Sequence, residues 1–225
     1  MNVWYCIPSG LPEKEASACL GKWVGRGYRV AVFRDTGAAS LPVDLCLHGH
    51  YPGYAVAVNA LARAVLAFDP SCQWVVIGGD DILPDPDHDP RVIAAECTEH
   101  FRGTLGVLQP TGDRFMEDAQ GLCGAERVCI SPWMGREWCL RAYEGKGPLW
   151  PAYKHEFVDE DLHEVASMHG RLWHRRDLTQ HHDWHGRRKE PPPAHMKGKQ
   201  AWNEEGKRIF QTRKEAGFPE SRFLK

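Results

Sequence analysis

The stretch over residues 73–84, QWVVIGGDDILP, constrains the chain most. Trp74, Val75, Val76 and Ile77 form a short apolar run rich in β-branched residues, the pattern of a core strand. Gly78 and Gly79 break the run, and Asp80 and Asp81 follow at its C-terminal end. Open α/β sheets gather ligands at that end of their strands. Two adjacent carboxylates repel each other there unless donors or a cation neutralise them. A hard divalent cation shared with phosphate oxygens is the usual solution. Gly-Gly-Asp-Asp is also ordinary turn chemistry, so the four residues taken alone read as a turn as well.

The flanking pattern places this strand in an α/β sheet. Residues 3–7 predict a strand, 13–26 an amphipathic helix ended by Gly27, and 29–33 a second strand. Strand, helix, strand over about 33 residues is a βαβ unit, which implies parallel pairing. A further strand is expected over 43–47. A helix over 53–68 carries Asn59 and Arg63 one turn apart, and Asp69-Pro70 stops it. Beyond the aspartates the pattern predicts a helix over 91–101 and a strand over 105–108. A Gly-rich excursion over 109–123 carries Asp113, Arg114, Asp118 and Gln120 and is expected near an acceptor site. A strand over 127–130 and a helix capped by Ser131-Pro132 and running to Tyr143 come next, then a helix over 155–169 and a strand over 172–174. The run His181-His182-Asp183-Trp184-His185 follows, then prolines 191–193 and a basic helix over 194–216.

Composition narrows the class. With 225 residues, 42% hydrophobic and 26% charged, the chain is long enough for one α/β domain with a core plus an appendage. No apolar run approaches the roughly 18 residues of a membrane span. The first residues lack a basic, apolar export signal, so a cytoplasmic location is expected. The eight cysteines are scattered without a CxxC pair and read as reduced thiols. Charge is uneven. Residues 187–225 carry 11 Lys/Arg against 5 Asp/Glu, or +6, and the first 186 carry 17 against 25, or −8. A basic tail on an acidic body points to an anionic partner for the tail.

In order, WYCIPSG at 4–10, Asp35 after the second strand, GYAVAVNALARA at 53–64, the aspartate-tipped strand, FVDEDL at 157–162 and the late histidines resemble the GT-A glycosyltransferases, the family 2-like group above all. The resemblance covers residues 1–186 and leaves 187–225 as linker and tail. It implies a Rossmann-like, mostly parallel central sheet flanked by helices, and transfer of a sugar from a UDP- or GDP-sugar. It assigns Pro8, Ser9, Gly10, Asp35, Asn59, Arg63, Gly79 and Asp80 to the donor. Asp80, Asp81 and His182 fall to Mn²⁺ or Mg²⁺, and Asp159, with Glu160 beside it, to the general base of an inverting transfer. The family's D-x-D aligns with Gly78-Gly79-Asp80, so its first aspartate is missing, and Val158 replaces the Glu of the second motif. The tail pattern over 202–219 resembles small phage or prophage glycosyltransferases, some of which glycosylate hydroxylated bases in DNA.

Chemistry explains each assignment. A divalent cation on the departing pyrophosphate offsets its charge, carboxylates hold the cation, and an imidazole is compatible with Mn²⁺. A carboxylate opposite the leaving group takes the acceptor proton. Other readings stand beside this one: a nucleotide-sugar-binding or nucleotidyltransferase-like protein without transferase activity, an enzyme of cell-surface glycans, or a nucleic-acid-binding module. The tail either recruits an anionic acceptor through Lys197, Lys199, Lys207, Arg208, Arg213 and Lys214, or docks on the body through Trp202 and Phe210. Trp133, Trp138 and Trp150 are core residues or stacking platforms for a sugar.

Overall fold

The computed structural model describes residues 2–114, 116–184, 187, 189 and 199–224. His185, residue 186 and the proline linker 191–193 lie outside them. The expected βαβ unit is present as β1 (Asn2–Pro8), α1 (Glu13–Gly25) and β2 (Arg29–Asp35), with β1 and β2 parallel. The chain continues through β3 (Leu45–Gly49), α2 (Tyr54–Phe68), β4 (Cys72–Ile77), the short β5 (Ile82–Leu83) and α3 (Pro90–Phe101). Then come β6 (Val107–Pro110), β7 (Trp133–Gly135), α4 (Arg136–Gly145), α5 (Val158–Met168), β8 (Leu172–Arg175), β9 (His181–His182) and α6 (Lys199–Glu215).

Seven strands form one sheet in the order β3-β2-β1-β4-β7-β6-β8, and β5 pairs with β9 in a separate ribbon. Only the pairings of β7 within the large sheet are antiparallel. The α/β class and the mostly parallel sheet flanked by helices are those expected. Alternation along the strands divides the core into two layers. Trp4, Cys6, Val75, Ile77 and Met134 face α2, α4 and α5, whereas Tyr5, Ile7, Trp74, Val76 and Trp133 face α1 and α3. Each central strand is buried on both faces, which is why these segments read as unbroken apolar runs.

The segment after the Gly-rich excursion differs from expectation. Residues 127–130 are not a strand. A 3₁₀ turn at Gly124–Glu126 precedes them, and the Cys129 N–H donates to the Asp159 carbonyl at 3.2 Å, tying this segment to the start of α5. The strand is β7, three residues further on, and α4 starts only at Arg136. A strand this short has no measurable periodicity, and Pro132 cannot donate to a ladder; its carbonyl instead accepts from the Ile77 N–H at 3.1 Å. Similarly, β3 lies two residues later than expected, and α5 starts at Val158 rather than 155.

The C-terminal segment packs on the body. Phe218 and Leu224 are buried in the layer of α2, α4 and α5, and the Phe210 ring lies 5.9 Å from that of Phe157. Trp202, the other docking candidate, is 39% exposed. No helix among the described residues is long and apolar enough to cross a membrane.

Candidate active site

The chain lays down β1, β2 and β3 toward one edge, then returns to place β4 on the other flank of β1. That reversal opens a crevice at the C-terminal ends of β1 and β4, where α/β folds bind ligands. Pro8, Ser9 and Gly10 end one strand, and Gly78 to Asp81 end the other.

Ser9 is buried, and its N–H donates to the Phe33 carbonyl at 3.0 Å. Behind it lies Arg34, 4% exposed, whose Nη1 donates to the carbonyls of Ser9 (3.0 Å) and Leu11 (2.7 Å) and to Ser9 Oγ (3.3 Å). Asp35 points outward, its side chain 59% exposed, and Oδ1 accepts the N–H groups of Thr36 and Tyr51. Asp35 therefore shapes the turn after β2, while Arg34 brings positive charge to the crevice. Arg34 was legible as the third inward position of Val30, Val32, Arg34, an arginine where the pattern demands an apolar residue.

Asp80 is the most constrained group. Burial pushes its carboxyl up to about 6; Ser9 and Arg34 pull the other way, and Asp81 adds to the rise. Its Oδ1 is buried and meets no donor among the described residues. Asp81 lies next to His182, with Oδ2 and Nε2 3.3 Å apart. The β5–β9 ribbon makes this contact by pairing Ile82 with His182, and the Asp183 N–H donates to the Asp81 carbonyl at 2.7 Å. Asp113, from the Gly-rich excursion, steadies β9: its carboxylate accepts from the His182 N–H (2.9 Å) and Arg187 Nη1 (2.9 Å) and contacts His181 Nδ1 (3.0 Å).

Two tyrosines hold the glycines. Tyr5 donates to the Gly79 carbonyl at 2.8 Å and Tyr54 to that of Gly78 at 2.9 Å. A Cβ at position 78 would lie 2.9 Å from the Tyr5 hydroxyl and 3.1 Å from Ile82. A side chain at position 78 would therefore displace the Tyr5 hydroxyl.

On the far side of Tyr54 lies the start of α5. Burial pushes the Tyr54 hydroxyl up, and Asp159, Tyr51 and Asp81 push it further, so the ring stands within electrostatic reach of both acidic clusters. Burial, then the hydrogen bond and charge of Asp159, push the Glu160 carboxyl up to about 9. The Glu160 carboxyl is thereby driven toward its protonated form, and its Oε2 is buried and meets no partner among the described residues. Asp161, 0% exposed, turns the other way and accepts from Tyr143 Oη (2.8 Å), Tyr153 Oη (2.9 Å) and Arg213 Nε (2.7 Å).

The structure thus gathers Ser9, Gly79, Asp80, Asp81 and His182 at one crevice, with Asp159 and Glu160 across Tyr54. Asn59 is not brought there; its carboxamide is closed on the backbone of Leu149, donating at 2.8 Å and accepting at 3.0 Å. Arg63 is exposed on α2, about 14 Å along the axis from Tyr54 at 1.5 Å per residue. Trp133 and Trp138 are core residues. Trp150 is partly buried beneath the Arg213 guanidinium, 4.1 Å from its ring. Sequence reasoning missed Tyr5, Tyr54 and Arg34.

Compared by sequence, the chain matches no protein-family model and no curated protein. By structure it is similar to protein A197 from STIV, with TM-score 0.48 and 15% identity over 81% of this chain and 85% of that one. It is also similar to a Drosophila beta-1,4-galactosyltransferase 7 crystallised with manganese, UDP-Gal and xylobiose, with TM-score 0.47 and 11% identity over 86% and 76%. A glycosyltransferase involved in the glycosylation of the major capsid of PBCV-1 gives TM-score 0.34 and 7% identity over 61% and 62%. These likenesses are loose, and the chain's own residues carry the chemistry below.

Proposed function

We propose that the chain is a GT-A-type glycosyltransferase moving a sugar from a UDP- or GDP-sugar to an acceptor hydroxyl with inversion. One observation carries this reading: a half-buried carboxyl, Asp80, whose buried Oδ1 meets no donor among the described residues, at a topological switch point and beside Asp81 and His182. Two carboxylates and an imidazole suit Mn²⁺, with Mg²⁺ as the alternative. Among the described residues no three such groups already converge on a single point. Asp80, Asp81 and His182 would therefore hold a cation only together with diphosphate oxygens of a bound donor. The cation supplies charge stabilisation at the departing diphosphate.

The chain's own groups do the rest. Ser9 and Gly10 border the donor, and the Arg34 charge behind Ser9 favours an anion. Asp159 takes the acceptor proton, and the Glu160 carboxyl beside it is pushed toward its protonated form by burial and by the Asp159 charge. Tyr54 links the two clusters through Gly78 and keeps their spacing.

The acceptor within this reading is a hydroxyl, with a hydroxylated DNA base as the candidate the tail brings in. Of the tail cations, Arg213 and Lys214 are engaged by Asp161 and Glu164, while Lys207 and Arg208 stay exposed. The absence of a side chain at Gly78 favours the second reading, a nucleotide-sugar binder without turnover.

One experiment separates the two. The protein is incubated with UDP- and GDP-sugars with and without Mn²⁺, while release of nucleotide diphosphate and thermal stability are followed together. An enzyme shows slow metal-dependent hydrolysis and stabilisation, a binder stabilisation alone, and neither effect with any donor defeats both readings.

A further inference from the structure

The C-terminal helix meets the residues leading into α5, Glu156 and Phe157, and α5 itself at Asp161 and Glu164, on either side of Asp159 and Glu160. A Cβ at Gly206 would lie 2.6 Å from the Glu156 carbonyl and 3.2 Å from the Phe157 ring, so a side chain there would force α6 away. Phe210 packs on Phe157, Arg213 binds Asp161, and Lys214 binds Glu164 at 2.6 Å. The acid pair falls between these grips.

The start of α5 depends on such support. Its N-cap, Phe157, has left-handed backbone angles (φ 66°, ψ 3°) and makes no side-chain cap. Three consecutive acids follow, favoured by the helix dipole but repelling one another. Successive side chains on a helix turn by about 100°, so Asp159 and Asp161 face roughly opposite sides. Holding Asp161 inward therefore turns Asp159 to the opposite side, where its charge is felt by the Tyr54 hydroxyl and the Cys129 thiol. Arg213 does the holding. Its side chain is 6% exposed, it stacks over Trp150, and Nη1 is anchored to Glu220 at 2.6 Å. The planar guanidinium meets two carboxylates and a ring at once, a geometry lysine does not reproduce.

We infer that Arg213 is a positioning residue for the Asp159–Glu160 pair, and that the C-terminal helix is part of the active-site architecture. This rests on the reading of that pair as the proton-accepting group of sugar transfer.

The test uses the full-length protein with UDP- and GDP-sugars and Mn²⁺, at a temperature where circular dichroism shows each variant folded. Arg213→Met is expected to lower kcat for donor turnover at least about ten-fold, since a displacement of about 1 Å is worth on the order of 10² in rate. The donor KM stays within about two-fold, and Arg213→Lys falls between. Infrared spectroscopy of the protein without donor gives a second readout: the protonated-carboxyl band that Glu160→Gln abolishes is displaced in Arg213→Met. If Arg213→Met does not fold, Tyr153→Phe, which removes one donor to Asp161, shows a smaller kcat loss of the same kind. A lower melting temperature with kcat and the infrared band unchanged overturns the inference. Asp159→Asn and Glu160→Gln in the same assay separate the two levels. If both turn donor over normally, the reading of the pair fails and takes the inference with it. If they are inactive while Arg213 variants keep wild-type kcat, only the positioning role fails.

Discussion

The molecule carries two runs of adjacent acids, and it treats them in opposite ways. At the end of β4, Asp80 is half-buried with a buried oxygen that meets no donor among the described residues, and Asp81 lies beside a histidine. At the start of α5, Asp161 is answered by an arginine and two tyrosines, while burial and the neighbouring Asp159 push the Glu160 carboxyl up. The first run has Arg34 and His182 near it yet leaves Asp80 Oδ1 without a donor among the described residues. The second has its charge settled internally except for one carboxylate, which suits it to accepting a proton. Similar residue types thus acquire different electrostatic character from their neighbours alone.

The sharpest break of this contrast is at the second run. Asp159→Asn is expected to lower transfer by roughly 10²–10⁴ while donor affinity stays within a few fold. Steady-state turnover beside nucleotide titration checks it. Normal turnover by Asp159→Asn with loss in Glu160→Gln would reverse the two roles.

Next in size is the internal neutralisation itself. Arg213→Met strands the buried Asp161 charge and is expected to cost about 3–5 kcal/mol in chemical denaturation. Removing the exposed partner of the same helix, Lys214→Ala, is expected to cost at most about 0.5 kcal/mol, because its ion pair with Glu164 is nearly half exposed. Equal losses would mean that Asp161 is not the anchor.

The first run is tested by pH. The Asp80 carboxyl titrates near 6 in the fold against an ordinary 3.8. Between these values the folded state keeps a proton that the unfolded chain has released, so this group's contribution to stability falls as pH rises through the window and stays low above it. Asp80→Asn is therefore expected to melt higher than wild type at about pH 8 and alike near pH 4, while losing Mn²⁺ enhancement of UDP or GDP binding. Undiminished enhancement in Asp80→Asn removes the cation assignment. The same sign holds for Glu160: its contribution falls between its ordinary 4.5 and about 9, and Glu160→Gln is expected to be neutral or stabilising at about pH 8.

The smallest effect concerns how α6 meets α5. Gly→Ala inside an exposed helix normally stabilises by about 1 kcal/mol. At Gly206 the sign should reverse, because the new methyl meets the Glu156 carbonyl. A more stable Gly206→Ala protein would show that α6 does not sit this close in solution.

Legibility followed the range of the interactions. The β1–α1–β2 unit, α2 and β4 were readable because apolar spacing over 5 to 15 residues reports burial directly. β7 was not, since three residues carry no period and its place beside β4 is set by a partner 59 residues away, Val75 with Met134. In the site, Ser9, Asp80 and Asp81 stand at strand ends and followed from the strands. Asn59 was misleading: the polar position on α2 faces a backbone, Leu149, that only the fold brings to it. The charge excess of 187–225 was visible, but one of its cations, Arg213, is buried and points inward.

What the sequence determined by itself is the α/β plan and the two acidic runs, because strand and helix periods and the order of βαβ units are local properties. What only the tertiary structure decided is the charge state of each acid. That state depends on which donors, rings and carboxylates lie within a few ångströms, and those neighbours come from residues far apart in the chain: His182 beside Asp81, Tyr5 beneath Gly78, and Arg213 against Asp161. Electrostatic energy in a poorly solvated site changes steeply over such distances, so the same carboxylates remain undefined in function until the fold places their partners.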